Sequence, residues 1–366
     1  MKTIGIDTSI AKINQAGSSV YVNNLTHALS SLDGQYEYSL FNSHQNYSMG
    51  TNTGLKKKFK TIYNDLIWTQ LIVPLKAQYE SFSLLHMPAV FSPMFPSKPT
   101  IVTIFDVIIM RFPQYFSKWH HYYFEHILPK SLENSVHIIT ISESSKRDLV
   151  KYYDIPQEKI SVTYLSHSEK FRVIETPLVE IVKNKYGLKK YIILVGTIEP
   201  RKNILRILLA FSKVLKNHPD VQLVHVGSRG WGQDKIFSKL DELNIRDSVR
   251  LLGKISLDDL VGLYNGAIFS LYPSLYEGFG LPILESMAAG CPVITSNTSS
   301  MPEVAGDAAV IVNPASIESI YDGMCQLLGD NDLLLQYKDK GIKRSSTFSW
   351  QKCASETQNI YSKIVL

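Results

Sequence analysis

Two glutamates, Glu277 and Glu285, stand eight positions apart within the stretch Tyr272–Val293. Between them lie Gly278-Phe279-Gly280, then Leu281 and Pro282. Proline suits the first turn of a helix, where its missing N–H would be unpaired in any case. The pattern predicts a helix over Ile283–Ala289, closed by Gly290 as a left-handed cap. A glycine loop feeding a helix N-terminus presents backbone N–H groups and the positive end of the helix dipole to an anion. Carboxylates beside such a site repel a bare phosphate but accept hydrogen bonds from hydroxyls. The predicted ligand chemistry is phosphate and sugar hydroxyls on one molecule, as in a nucleotide sugar. The alternative is an ordinary loop-to-helix junction with capping residues.

A second loop carries the opposite charge. Gly196-Thr197-Ile198-Glu199-Pro200-Arg201-Lys202-Asn203 joins a predicted strand, Tyr191–Val195, to a predicted helix, Ile204–Leu215. Two cations at a helix N-terminus oppose its dipole. A bound diphosphate would offset that cost; an exposed basic turn is the plainer reading. Gly17 lies in the small-residue loop after the first strand, over residues 3–6, either as a ligand-approach glycine or as a turn glycine. Asp106 ends the buried strand from Thr100, and Gly227 opens the loop after Val221–Val226. His120, His121 and His126 share an aromatic stretch without helical metal-ligand spacing and read as structural or surface residues, so no metal site is expected.

These loops need elements to hold them. The chain alternates short apolar strands with helical periods throughout, as in doubly wound α/β domains. Its 366 residues suffice for two such domains. The polar, charged segment 166–190 is the expected linker, giving domains 1–186 and 187–349, with a final helix over Trp350–Ile364 packing back on the first. Ser144 or Ser145 is expected to cap a helix over Lys146–Tyr152. The net charge of +5 is too small for a nucleic-acid binder, and its excess sits in the first half. Three cysteines, far apart, indicate neither a disulfide framework nor a zinc site. The N-terminus reads as a strand, and no apolar run approaches the ~20 residues of a membrane span. A cytoplasmic protein is expected. Lys56–Lys60 precede an apolar, aromatic run and read either as a solvated loop before a core helix or as a segment resting on an anionic membrane surface.

With these loops in place, the chain resembles the retaining glycosyltransferases of family 4, which have the GT-B architecture: two Rossmann-like doubly wound domains facing a central cleft. The resemblance rests on the E-x7-E pattern of Glu277 and Glu285, on Val-Gly-Thr-Ile-Glu-Pro-Arg-Lys-Asn, and on Ser300-Met-Pro-Glu-Val-Ala-Gly306. It implies that Glu285 accepts the ribose hydroxyls and Glu277 holds the donor sugar. Phe279, Gly280 and Leu281 would offer backbone N–H groups, and Arg201 and Lys202 would neutralise the leaving diphosphate without a metal. Gly17, Gly196, Thr197, Gly227 and Gly278 would line the donor, and Asp106 would contact the acceptor or act as a catalytic base. Two departures stand out. Phe105 occupies the place where many relatives have a donor-contacting histidine, and Thr197 the place of an arginine.

The implied reaction moves a sugar from a nucleoside-diphosphate sugar, GDP-mannose-like or UDP-linked, to a hydroxyl of a glycan or lipid-linked acceptor, with retention. The nucleotide sugar is a substrate, so no cofactor is expected. The setting would be surface polysaccharide synthesis on the inner face of the plasma membrane. The competing readings are a nucleotide-sugar epimerase or phosphorylase of the same architecture, and a degenerate partner subunit.

Overall fold

The computed structural model describes residues 2–13, 17–32, 34–43, 63–230 and 233–365. Lys56–Lys60 lie outside these. The chain forms two units: Met1–Leu165 with Ser349–Leu366, and Ser166–Phe348.

The first unit holds a six-stranded sheet of β1 (Lys2–Asp7), β2 (Tyr36–Phe41), β3 (Leu84–Met87), β4 (Thr100–Ile104), β5 (His137–Thr140) and β6 (Ile160–Val162). Its order is β2-β1-β3-β4-β5-β6, and every pairing is parallel. Strands β3 and β4 are buried along their whole length, as both faces of a parallel sheet must be when crossover helices cover them. The helix Gly17–Ser30 packs against the last helix, Trp350–Ile364. That last helix is tied in by a buried polar chain. His86 joins the Tyr361 hydroxyl (2.6 Å) to the Thr103 hydroxyl (2.9 Å) through its two ring nitrogens. Burial pushes His86 down to about 3, so the chain is uncharged.

The second unit holds β7 (Tyr191–Val195), β8 (Gln222–Val226), β9 (Val249–Gly253), β10 (Ser270–Tyr272), β11 (Val293–Ser296) and β12 (Val310–Val312). All are parallel, in the order β12-β11-β10-β7-β8-β9. Alternation along β7 builds both faces. Ile192 and Leu194 enter one apolar cluster with Phe211 and Phe269, and Tyr191 and Ile193 enter another with Leu263 and Tyr264.

Three expectations shift. The boundary lies at 165/166, not 186/187. The segment 166–190 contains the helix Thr176–Tyr186, which packs on the helix Leu257–Gly266 of the second unit. It reads as a linker because only Val179 of that helix is fully buried, the rest of its face being charged or half-exposed. The helix expected from Lys146 begins at Glu143, capped by Ser142, whose hydroxyl accepts from the Ser145 N–H at 3.0 Å. The helix after the glycine turn is Leu281–Ala288, two residues earlier than its apolar run suggests.

Candidate active site

In a doubly wound sheet, ligands bind where the strand order reverses, beyond the carboxyl ends of the strands. In the second unit that point lies between β7 and β10, neighbours whose crossovers run to opposite sides. The two chemistry-bearing loops are the ones leaving these two strands.

They are sewn together by backbone contacts. The Leu275 N–H donates to the Arg201 carbonyl at 2.7 Å. The Asn203 side-chain amide donates to the carbonyls of Pro273 (3.1 Å) and Pro314 (2.7 Å). Asn203 is left-handed at φ 63°, a conformation asparagine tolerates better than most residues. This places Arg201 and Lys202 against Glu277. The Lys202 ammonium donates to one Glu277 carboxylate oxygen at 2.6 Å, and the Arg201 guanidinium donates to the other. Arg201 also donates to Glu199 at 2.7 Å. Lys202 further bonds the Tyr272 hydroxyl and lies 4.4 Å from the centre of that ring.

Both partners of the central pair are deeply buried, Glu277 at 6% exposure and Lys202 at 8%. Burial works to raise the Glu277 carboxyl, but Lys202 and Arg201 outweigh it and hold it below the usual carboxylate range. Burial lowers Lys202 against the pull of Glu277. Sequence reading assigned the cations to a diphosphate; in the structure they are already matched by Glu277 and Glu199.

The turn between the glutamates is held from the loop after β11. Ser300 donates to the carbonyls of Glu277 (3.0 Å) and Phe279 (2.8 Å), and Ser299 donates to that of Glu277. Gly280 sits at φ 105° as the cap of Leu281–Ala288 and makes no side-chain cap hydrogen bond. The Phe279 ring is buried edge-on against Phe348, at 6.1 Å. Glu285, half-buried on that helix, faces the Tyr264 hydroxyl and the Lys202 charge, and burial pushes its carboxyl up to about 7.

Gly196 and Gly227 act on each other. A Cβ at Gly227 would lie 2.0 Å from the Gly196 carbonyl oxygen, and a Cβ at Gly196 would press on the Lys202 side chain at 3.3 Å. His225 donates to the same Gly196 carbonyl at 2.8 Å. Thr197 is half-buried, its methyl against Gly230.

The structure thus brings Gly196, Thr197, Arg201, Lys202, Gly227, Glu277, Gly278, Phe279, Gly280, Leu281 and Glu285 into one site in the second unit. Gly17 and Asp106 belong to the first. Gly17 opens its helix with open space where a side chain would project. One Asp106 oxygen accepts from the Ile108 N–H at 3.1 Å, which starts the short helix Ile108–Arg111. Phe105 packs edge-on against Tyr21, at 5.2 Å. Sequence reading missed Asp7, at the end of β1 where the first sheet reverses order. Its buried carboxylate accepts from the Ser9 N–H (2.8 Å) and the Trp68 indole (3.0 Å). His120 and His121 bond Ser117 and the Pro113 carbonyl instead of one another. No cluster able to hold a metal occurs among the described residues, and none of their helices is long and apolar enough to cross a membrane.

The family described as glycosyl transferases group 1 matches residues 179–344. O-antigen chain mannosyltransferase B of Escherichia coli is 33% identical over 264 residues, covering 71% of this chain and 69% of that protein. Sucrose-phosphate synthase from Thermosynechococcus elongatus shares the fold at a TM-score of 0.78 with 19% identity, over 100% of this chain and 99% of that one. Anabaena HepE, solved with UDP and glucose, does so at 0.77 with 13% identity, over 99% and 100%. Two Rossmann-like units with these fold neighbours define the GT-B class. The chain belongs to the glycosyl transferases group 1 family and is a glycosyltransferase.

Proposed function

We propose that the chain is a retaining mannosyltransferase that takes mannose from GDP-mannose to a hydroxyl of a growing glycan on a lipid carrier, in surface polysaccharide synthesis. The observation that carries this reading is the joining of Arg201, Lys202, Glu277, Glu285 and a glycine-capped helix N-terminus at the β7/β10 switch point. The sugar and setting follow the relative named O-antigen chain mannosyltransferase B.

In this reading Glu285 accepts the ribose hydroxyls, and Glu277 orients the sugar beside its anomeric carbon. The backbone of Phe279, Gly280 and Leu281 faces the donor, with Gly196, Thr197, Gly227 and Gly278 shaping the loops around it. The bond from the anomeric carbon to the β-phosphate oxygen breaks, and its electron pair stays on the phosphate. Arg201 and Lys202 stabilise that developing charge, the term that usually contributes most. They take the part a divalent cation plays elsewhere, so transfer is expected to survive EDTA. The acceptor oxygen bonds the same face of the sugar, and its proton passes to the departing phosphate. Gly17 and Asp106, both in the first unit, keep the donor-side and acceptor-side roles that the family resemblance implies for them. Lys56–Lys60 would rest on the anionic inner face of the plasma membrane, a role tested by sedimentation with anionic vesicles at low and high salt.

A UDP-sugar donor is the second reading, favoured by the fold neighbour solved with UDP and glucose. One experiment separates the two. The purified chain is screened by thermal shift against GDP-, UDP- and dTDP-sugars, and the stabilising donor is supplied with a hydroxyl acceptor. GDP-mannose is expected to raise the melting point by mass action and to be turned over with the α-configuration kept. Failure of every nucleotide sugar to bind or react overturns the proposal.

A further inference from the structure

The positive charge of the site is matched before any ligand arrives. Arg201 is paired with Glu199 and Glu277, and Lys202 with Glu277. Two carboxylates against two cations leave the cluster neutral, and Glu285 makes it negative whenever it is ionised. A diphosphate is an anion, and it becomes more negative as it departs. Thr197, at the root of the same loop, is uncharged. One more cation on these loops has no counter-ion. Arg229 lies in the loop leaving β8, between two residues pinned to the loop leaving β7. On one side the Ser228 carbonyl accepts from the Ile198 N–H at 3.0 Å. On the other, a Cβ at Gly230 would lie 2.2 Å from the Ile198 carbonyl oxygen and 2.8 Å from the Thr197 methyl. The Arg229 backbone is therefore fixed at the carboxyl end of the sheet, beside Thr197. Its side chain is exposed and joins no ion pair or hydrogen bond among the described residues. Of the lysines and arginines described on the loops leaving β7, β8 and β10, it is the one without a carboxylate partner.

We propose that Arg229 is a donor-binding residue: its guanidinium meets the diphosphate of a nucleoside-diphosphate sugar and supplies the net positive charge that the Arg201, Lys202 and Glu277 cluster lacks. The proposal rests on the nucleotide-sugar reading of the site. The planar fork of a guanidinium suits two phosphate oxygens at once. The three cations then divide the work. Arg201 and Lys202 are held in place by Glu277, so they cost no reorganisation when charge develops, but each shares its charge with a carboxylate. Arg229 breaks no ion pair when it turns to the ligand, and its whole charge is available to the phosphates. An exposed cation also attracts its anion through solvent, and salt screens that attraction far more than it screens a buried pair. Salt dependence therefore separates the part of Arg229 from that of the cluster behind it.

The test uses the full chain and calorimetric titration with GDP and UDP at low and high salt. The variants are Arg229→Gln and Arg229→Lys, with Lys189→Gln as the control for net charge. Lys189 is exposed, joins no ion pair among the described residues and precedes β7, at the opposite end of the same sheet. Arg229 has no partner to lose, so its variants are expected to melt as wild type does without ligand. Arg229→Gln should bind the preferred nucleoside diphosphate about tenfold more weakly at low salt, with a smaller loss at high salt. Arg229→Lys keeps the charge without the fork and should recover part of the loss, and Lys189→Gln should bind as wild type does. Binding by Arg229→Gln equal to that of wild type overturns the inference. So does an equal loss in Lys189→Gln, or a loss that salt leaves unchanged. Wild type binding neither nucleotide would overturn the donor reading instead.

Discussion

Glu277 carries two jobs that pull apart when its charge is removed. It is the counter-ion of two cations in a buried cluster, where stripping one partner leaves uncompensated charge. Glu277→Gln should therefore cost about 3 kcal/mol of stability, read as a lower melting point without ligand. Nucleoside diphosphate should recover more of that loss than it adds to wild type, because its phosphates then meet unmatched cations. Transfer should fall by about a hundredfold or more. Glu285 behaves differently, since burial raises it to about 7. A raised carboxyl binds its proton more tightly in the folded state, so its contribution to stability is favourable at low pH and is lost as pH rises from its unfolded value toward 7. Glu285→Gln should flatten that dependence and melt a few degrees higher than wild type at pH 8 without ligand. Nucleotide affinity should move the other way in wild type, rising as pH climbs through about 7, and should be weak and flat in the variant. Calorimetry and thermal melts across this range check both.

At the scale of elements, the site loop leaving β7 is pressed against the loop leaving β8 so closely that only glycine fits at the contact. Gly227 is left-handed at φ 152°, and a methyl there would meet the Gly196 carbonyl. Gly227→Ala should cost about 1–3 kcal/mol and abolish nucleotide binding by displacing the loop under Lys202. Gly187→Ala, at φ 64° with nothing within 4 Å, should cost about 1 kcal/mol and leave binding intact. Urea unfolding with parallel titrations separates the two. Much of this was legible in the chain because it is local: Pro282 after a glycine turn, two acids eight apart, adjacent cations before a helix. What escaped were partners supplied by register. Ser299 and Ser300 reach the motif from the loop after β11 through the pairing of β10 with β11. No spacing along the chain encodes those contacts. Asp7 was equally hidden, since its indole partner lies at Trp68 and is brought to it by the fold alone. The pairing of Glu277 with both cations needed the strand order that sets β7 beside β10.

At the scale of the molecule, one unit is continuous and the other is not. The second unit runs without interruption from Ser166 to Phe348, while the first takes its final helix from Ser349 onward. A chain ending at Phe348 should lose the Tyr361 contact to His86 and the packing on Gly17–Ser30. The first unit should then become sensitive to limited proteolysis, while the second still binds nucleotide in the same titration. The discontinuity also orders events during synthesis. The second unit is complete once Phe348 clears the ribosome, and it can close around its own core at once. The first unit, whose strands are translated earlier, must wait with an uncovered helix face until Ser349–Leu366 have been added. The half made first is thus the half finished last, and for most of the time taken to translate the second unit it is the natural client for a chaperone.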